Sequence, residues 1–265
     1  MGAFEALRVL RIQQRLSPGL TIQQVAGLVA RVDADSAGLD FEAAFELHGL
    51  TEHCDATQEG LGFYQKCIET IVLTQQPTWA KMMTYGRQKF AQKLSRDEQQ
   101  CFRSAGLLDE NPDWAVIGWW DRVTGQVRLF NDQERLIRAR KAEHLSYQHE
   151  ERRLKKLGIT LTPRWTAIED NQAGYDIHSY DPGAVLPTAR LIEVKSTISS
   201  PLRFQLTRHE WDQALKVGAA YHFHVWDMAV EPARLFERTA AQIAPHVPSD
   251  NEKGRWKNAE IPVGV

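Results

Sequence analysis

The chain has 265 residues, 43% of them hydrophobic and 25% charged, enough for one large globular domain or two small ones. Its 32 basic and 34 acidic side chains leave a net charge of −2, so bulk charge gives no sign of a nucleic-acid partner. No window nears the ~20 apolar residues of a membrane span, and the opening MGAFEALRVLRIQQR is too evenly charged for a secretory signal. Cys54, Cys67 and Cys101 are odd in number and lack CxxC spacing, against a disulfide framework or zinc ribbon. A reduced cytoplasmic setting and no membrane partner are expected.

Residues 1–130 read as helical, because apolar residues recur at three- and four-residue spacing. Phe4, Leu7, Leu10 and Arg11 open a stripe that Ser17-Pro18-Gly19 breaks. Thr21 is placed to cap a helix carrying Ile22, Val25, Leu28, Val29 and Val32. Phe63, Cys67 and Ile71 make another stripe, helical character continues over 78–94 and 97–108, and Asn111-Pro112-Asp113 restarts it before Trp114. Trp79, Trp114, Trp119 and Trp120 could stack on bases, but Trp at helical spacing usually belongs to a core.

Past residue 130 the pattern changes, and a second domain over 131–265 is expected. A helix runs from about Gln133 to Leu157, ended by Gly158. Strand character follows at 174–180, 190–196, 203–207 and 220–226. Between the last two, Thr207 and Glu210 form a capping box for a helix. Residues 233–244 read as a closing helix, and the tail from Pro245 as loosely held. The fold class is therefore α/β (α+β), a helical region followed by a mixed-sheet domain. Charge is distributed unevenly along this order. Residues 31–60 hold one base and eight acids, a net of −7, whereas 135–156 hold eight bases and three acids, a net of +5. A basic helix can bind phosphate, although a solvated, charge-laced face has the same composition.

The chemistry lies in Gly174-Tyr175-Asp176 and, after sixteen intervening residues, Glu193-Val194-Lys195. With a side-chain period of two, Glu193 and Lys195 share one strand face, and antiparallel pairing sets Asp176 across from Glu193. Two carboxylates suit Mg²⁺, a hard cation that keeps waters for a phosphate substrate, and the lysine can orient or deprotonate the attacking water. A cross-strand ion pair on a solvated sheet needs the same residues. The helix adds weight to the first reading. Leu136, Ala139, Glu143, Tyr147, Glu150, Leu154 and Leu157 line one face, so two glutamates sit on the stripe that packs on the sheet. Buried carboxylates are costly unless paired or bound to metal. His178 shares the face of Asp176 and could approach a phosphate. His222 and His224 share a face of the last strand, where a polar sheet face is a simpler account than a metal site.

The order helix with glutamate, strand with Asp, strand with ExK, strand, helix, strand resembles the PD-(D/E)xK nuclease superfamily, the restriction-endonuclease-like fold with its αβββαβ core. The string Glu150…Gly174-Tyr175-Asp176-Ile177…Ile192-Glu193-Val194-Lys195-Ser196-Thr197…Leu206-Thr207…Glu210…Ala214…Tyr221 is more closely similar to the NO VEIN carboxy-terminal domain family, over roughly 134–230. Tyr175 stands where the superfamily name has proline.

The resemblance implies a Mg²⁺-dependent endonuclease (Mn²⁺ substituting) that hydrolyses DNA in restriction or phage defence. It makes Asp176, Glu193 and Lys195 catalytic, with Glu150 or Glu143 as the helix carboxylate. Metal ligands would be Asp176, Glu193, Glu143 and the Val194 backbone. Arg138, Lys141, Arg152, Lys155, Gln205 and His178 are the candidate DNA contacts. The helical region would recognise DNA or a defence-system partner protein, and superfamily members often pair, which allows a homodimer. The alternative is a catalytically silent nuclease fold kept for DNA binding or complex assembly.

Overall fold

The computed structural model describes residues 2–32, 34–51, 60–170, 173–250 and 254–264. Asp33, Glu52, Asp55 and Glu59 of the acidic stretch lie outside the described residues, as do Cys54 and Asn251. The chain divides into two compact units, Met1–Asp132 and Gln133–Val265.

The described part of the first unit is helical: α1 (Gly2–Leu16), α2 (Ile22–Val32), α3 (Phe41–Leu50), α4 (Leu61–Gln75), α5 (Arg87–Ala91), α6 (Arg96–Ser104) and the start of α7 (Trp114–Lys156), with 3-10 turns at Ala34–Gly38 and Thr78–Tyr85. Thr21 caps α2 as its position predicts, exchanging bonds with Gln24. The core closes on an aromatic cluster in which Phe90 meets Phe102 at 5.0 Å and Trp119 meets Trp120 at 5.4 Å. The indole N–H groups of Trp119 and Trp120 donate to Gln65 O and Leu107 O. These two tryptophans are core, whereas Trp114 is 85% exposed.

The helices expected to start near Trp114 and Gln133 are one element, α7. Residues 121–132 contain no proline, and the lone Gly125 costs only ~1 kcal/mol against alanine, too little to end a helix. Leucines 136 and 157, expected on the buried stripe, are exposed; the buried face is Ala142, Glu143, Ser146, Glu150 and Leu154. Gly158, at φ +71°, ends the helix in a left-handed turn.

The second unit is built on a five-stranded mixed sheet of β1 (Arg164–Trp165), β2 (Ile177–Asp181), β3 (Thr188–Thr197), β5 (Tyr221–Asp227) and β6 (Arg234–Thr239), in the order β1-β2-β3-β5-β6. Only β3 and β5 run parallel, because α9 (Arg208–Val217) crosses over between them; the other neighbours are antiparallel. A four-residue helix, α8 (Thr166–Glu169), follows β1, and another, α10 (Ala240–Ile243), follows β6. The fold is α+β, as the change of periodicity predicts.

Three local expectations are corrected. Strand β4 (Arg203–Thr207) leaves the main sheet and pairs with β7 (Asn258–Pro262). That pairing buries Ala259, Ile261 and Val263, so the tail expected to be loose carries part of the core. The closing helix over 233–244 is mostly β6. Its apolar residues fit a helix, but β5 offers an unpaired edge, and Arg234, Phe236 and Arg238 share one face of the strand. Among the described residues no helix is long and apolar enough to cross a membrane.

Candidate active site

Strand β3 has two faces with different partners. Leu191, Glu193 and Lys195 share the face of Tyr221, Phe223 and Val225, beneath Trp211 and Ala214 of α9. Arg190 and Ile192 share the opposite face with His222, His224 and Trp226. There Ser146 of α7 receives the Trp226 indole N–H at 2.7 Å and lies 3.2 Å from His224 Nδ1.

Asp176 sits one step beyond the β2–β3 register that pairs Ile177 with Ile192. Its backbone N–H donates to Ile192 O, and its Oδ2 accepts the Val194 N–H at 2.7 Å, which fixes the carboxylate beside Glu193. The approach needs Gly174. Its φ is +77°, a Cβ there would lie 2.6 Å from Gln213 Cγ, and its carbonyl accepts the Tyr221 hydroxyl at 2.7 Å.

The Lys195 ammonium lies 2.8 Å from Glu193 Oε1 and 2.7 Å from Glu210 Oε2. Glu210 has two duties, since the same oxygen takes the Thr207 N–H at 2.9 Å in the capping box of α9. The cap is legible in the sequence; its hold on the lysine is not. Tyr221, whose hydroxyl lies 3.4 Å from Glu193 Oε2, Trp165 and Arg140 are likewise added by tertiary structure. Both Trp165 Nε1 and Arg140 Nη1 donate at 2.7 Å to Glu143 Oε2.

Electrostatically the cluster has more carboxylates than cations. Burial lifts the pKa of Asp176 to about 6, against the Val194 N–H bond, and the charge of Glu143 adds to the rise. Burial also holds Glu193 well above an ordinary glutamate, against Lys195, with Asp176 and Glu210 pushing the same way. Burial disfavours the charge of Lys195, yet Glu193 and Glu210 outweigh it and keep the amine firmly protonated. For Glu210 the lysine outweighs burial, and its pKa is lowered.

Among the described residues no three His, Cys, Asp or Glu side chains converge as a ready-made metal cage. The ammonium of Lys195 separates Glu193 from Glu210, while Trp165 and Arg140 hold Glu143. Mg²⁺, however, is commonly bound by one or two carboxylates together with waters and substrate phosphate. Asp176 and Glu193 are such a pair; burial, and after it the neighbouring carboxylates, makes their ionised forms costly, a cost that a divalent cation would offset. The donor set fits the ion.

Glu150 stands apart from this cluster. It is fully buried on the other side of β3, where Oε2 accepts from Ser179 Oγ at 2.6 Å and Arg153 Nε at 2.8 Å. Arg190 lies above it and binds Glu237 at 2.6 Å. Glu143 is the helix carboxylate whose charge reaches Asp176. His224 stays neutral, since burial pushes its pKa down to about 3, and with His222 it belongs to this second network.

A cleft of about 640 Å³ opens over the end of β3, lined by Lys195, Ser196, Thr197, Gln205 and three arginines, Arg135, Arg138 and Arg203. Of the candidate DNA contacts, Arg138 and Gln205 line it; Lys141, Arg152 and Lys155 are exposed on α7 and do not. His178 packs its ring on Tyr175 and Tyr180, at 6.3 and 5.0 Å.

Residues 142–237, a little over a third of the chain, match the family model described as Protein NO VEIN, C-terminal. That span holds Glu143, Asp176, Glu193, Lys195, Glu210 and Tyr221. No curated protein and no solved structure matches the chain.

Proposed function

We propose that the second unit is a Mg²⁺-dependent endonuclease of the PD-(D/E)xK kind that hydrolyses DNA phosphodiester bonds, with a place in restriction or phage defence. The observation that carries the reading is the gathering of Asp176, bonded to the Val194 N–H, with Glu193 and Lys195 of one face of β3, beside a cleft lined by arginines. Asp176 and Glu193 would hold the ion, with the Val194 backbone beside them. When bound, Mg²⁺ polarises the phosphate and lowers the pKa of water. Lys195, kept charged by Glu193 and Glu210, orients the attacking water and offsets charge on the phosphate. Arg138 and Gln205 seat the backbone in the cleft, and Glu143 biases Asp176 toward cation binding.

A plasmid-nicking assay tests this. The wild-type chain should nick with Mg²⁺ or Mn²⁺ and not with chelator, and Glu193→Ala and Lys195→Ala should be at background. Equal activity in all three would remove the assignment. DNA binding that survives Asp176→Ala and Glu193→Ala, without cleavage by the wild type, would instead favour a silent binding module.

The ion can also be read without activity. In chelator, the raised pKa of Asp176 means that the folded state takes up a proton more readily than the unfolded chain between about pH 4 and pH 6. The stability contributed by this group is therefore present at low pH and lost as pH rises through about 6. Asp176→Asn should flatten that part of the melting profile. Mg²⁺ added at about pH 8 should raise the melting temperature of the wild type and leave Asp176→Asn unmoved. Identical profiles and identical Mg²⁺ shifts in the two proteins would exclude Asp176 as a ligand.

A further inference from the structure

The first unit contains a cleft of about 480 Å³ that the nuclease reading does not use. Asp121, Thr124 and Arg128 recur at three- and four-residue spacing on one face of α7, and the opposite wall is the turn that leads into α5, with Tyr85 and Arg87. Trp120 is the floor. It is 6% exposed, its indole N–H is given to Leu107 O and its ring packs on Phe90, Phe102 and Trp119, so it closes the cleft from below as part of the core.

The polar groups of this cleft are unusually uncommitted. Thr124 is only 9% exposed, and its hydroxyl makes no hydrogen bond among the described residues. Arg87 gives one terminal nitrogen to Asp109 O at 2.5 Å, while its buried Nε has no partner. Neither Asp121 nor Arg128 joins an ion pair among the described residues, although both line the cleft. A buried polar atom without a partner, as at Arg87 Nε, is costly, and a cleft that sets it beside the Thr124 hydroxyl and the exposed Asp121 and Arg128 is set up for a polar ligand. Two arginines call for an anion, most favourably a phosphate. One carboxylate calls for a hydroxyl or amine donor. Tyr85, 63% exposed at the rim of the cleft, suits a flat ring.

We propose that this cleft binds a nucleotide unit, its phosphate on Arg87 and Arg128, its base against Tyr85, and its sugar or base donors on Asp121 and Thr124. A free mononucleotide and one nucleotide of a single strand offer the same chemistry. The site is independent of the carboxylate cluster and stands whether or not the second unit cuts DNA.

Titration calorimetry on the full chain tests it with the four 5′-mononucleotides, adenosine, inorganic phosphate and a short single-stranded oligonucleotide. At least one mononucleotide should bind, and its parts, adenosine or phosphate alone, should bind at least about tenfold more weakly. Arg128→Ala, a solvent-facing change, should weaken that binding at least about tenfold, while Lys216→Ala, on the exposed face of α9, should leave it unchanged. Competition by the oligonucleotide would identify the ligand as part of a strand, and its failure to compete would identify a free nucleotide. No binding of any mononucleotide or oligonucleotide, phosphate binding as tightly as the nucleotide, or equal affinity in Arg128→Ala would overturn the proposal. Plasmid nicking by the same preparation is measured separately, so loss of this site and loss of the nuclease reading are distinguishable.

Discussion

Replacing Lys195 with methionine is expected to destabilise the second unit by about 3–5 kcal/mol near pH 8, and by clearly less near pH 5.5. Among the described residues, the lysine contributes the only ammonium that contacts Glu193 and Glu210, at 2.8 and 2.7 Å. Methionine fills a similar volume, so the loss is one of charge rather than of packing. Without the cation, Asp176, Glu193 and Glu210 repel one another in a poorly solvated site, and breaking a buried pair costs more than the pair itself contributes. Protonation offers the carboxylates an escape. Burial already holds the pKa values of Asp176 and Glu193 up, so acid neutralises them early and the penalty shrinks. Urea unfolding of the full chain at the two pH values reads the difference. The double variant Lys195→Met/Glu193→Gln should regain much of the stability at pH 8 while remaining unable to nick DNA. A pH-independent loss, or no recovery in the double variant, would mean that Lys195 acts through packing.

Much of this arrangement is legible in the sequence because strand geometry is local. A period of two puts Glu193 and Lys195 on one face whatever the sheet around them, and the Thr207–Glu210 cap declares itself from spacing alone. Pairing partners are not local. Residues 234–239 have a helix-compatible pattern and become β6 because β5 has an edge to fill. Residues 258–262 are too short and mixed to read as a strand until β4 is placed beside them. The same limit applies to the charge map. Residues 135–156 net +5, yet Arg153 is tied to Glu150 and Asp181, and of the basic residues on that helix only Arg135 and Arg138 reach the cleft. Net charge counts residues, whereas binding depends on where each of them points.

The two glutamates of α7 show most clearly what the helical stripe leaves open, and their variants should separate cleanly. Positions 143 and 150 are two turns apart on one face, so sequence assigns them the same role. They lie over different parts of the sheet. Glu150 is beneath Arg190, held by Ser179 and Arg153, on the face of β3 opposite Glu193. Glu150→Ala should strip a fully buried carboxylate from two arginines and leave a cavity, costing about 3–5 kcal/mol. Below its lowered melting temperature it should still nick DNA at close to the wild-type rate. Glu143→Gln should do the reverse. The amide oxygen can still accept from Trp165 and Arg140, so stability should change little. Removing the charge beside Asp176 should slow cleavage about 10- to 100-fold, the usual cost of altering a group that supports a metal ligand. The melting temperature and the single-turnover nicking rate of each variant decide the matter. Should Glu150→Ala lose cleavage while folded and Glu143→Gln retain it, the carboxylate that completes the site is Glu150, and β3 must present Glu193 to α7 in the active state.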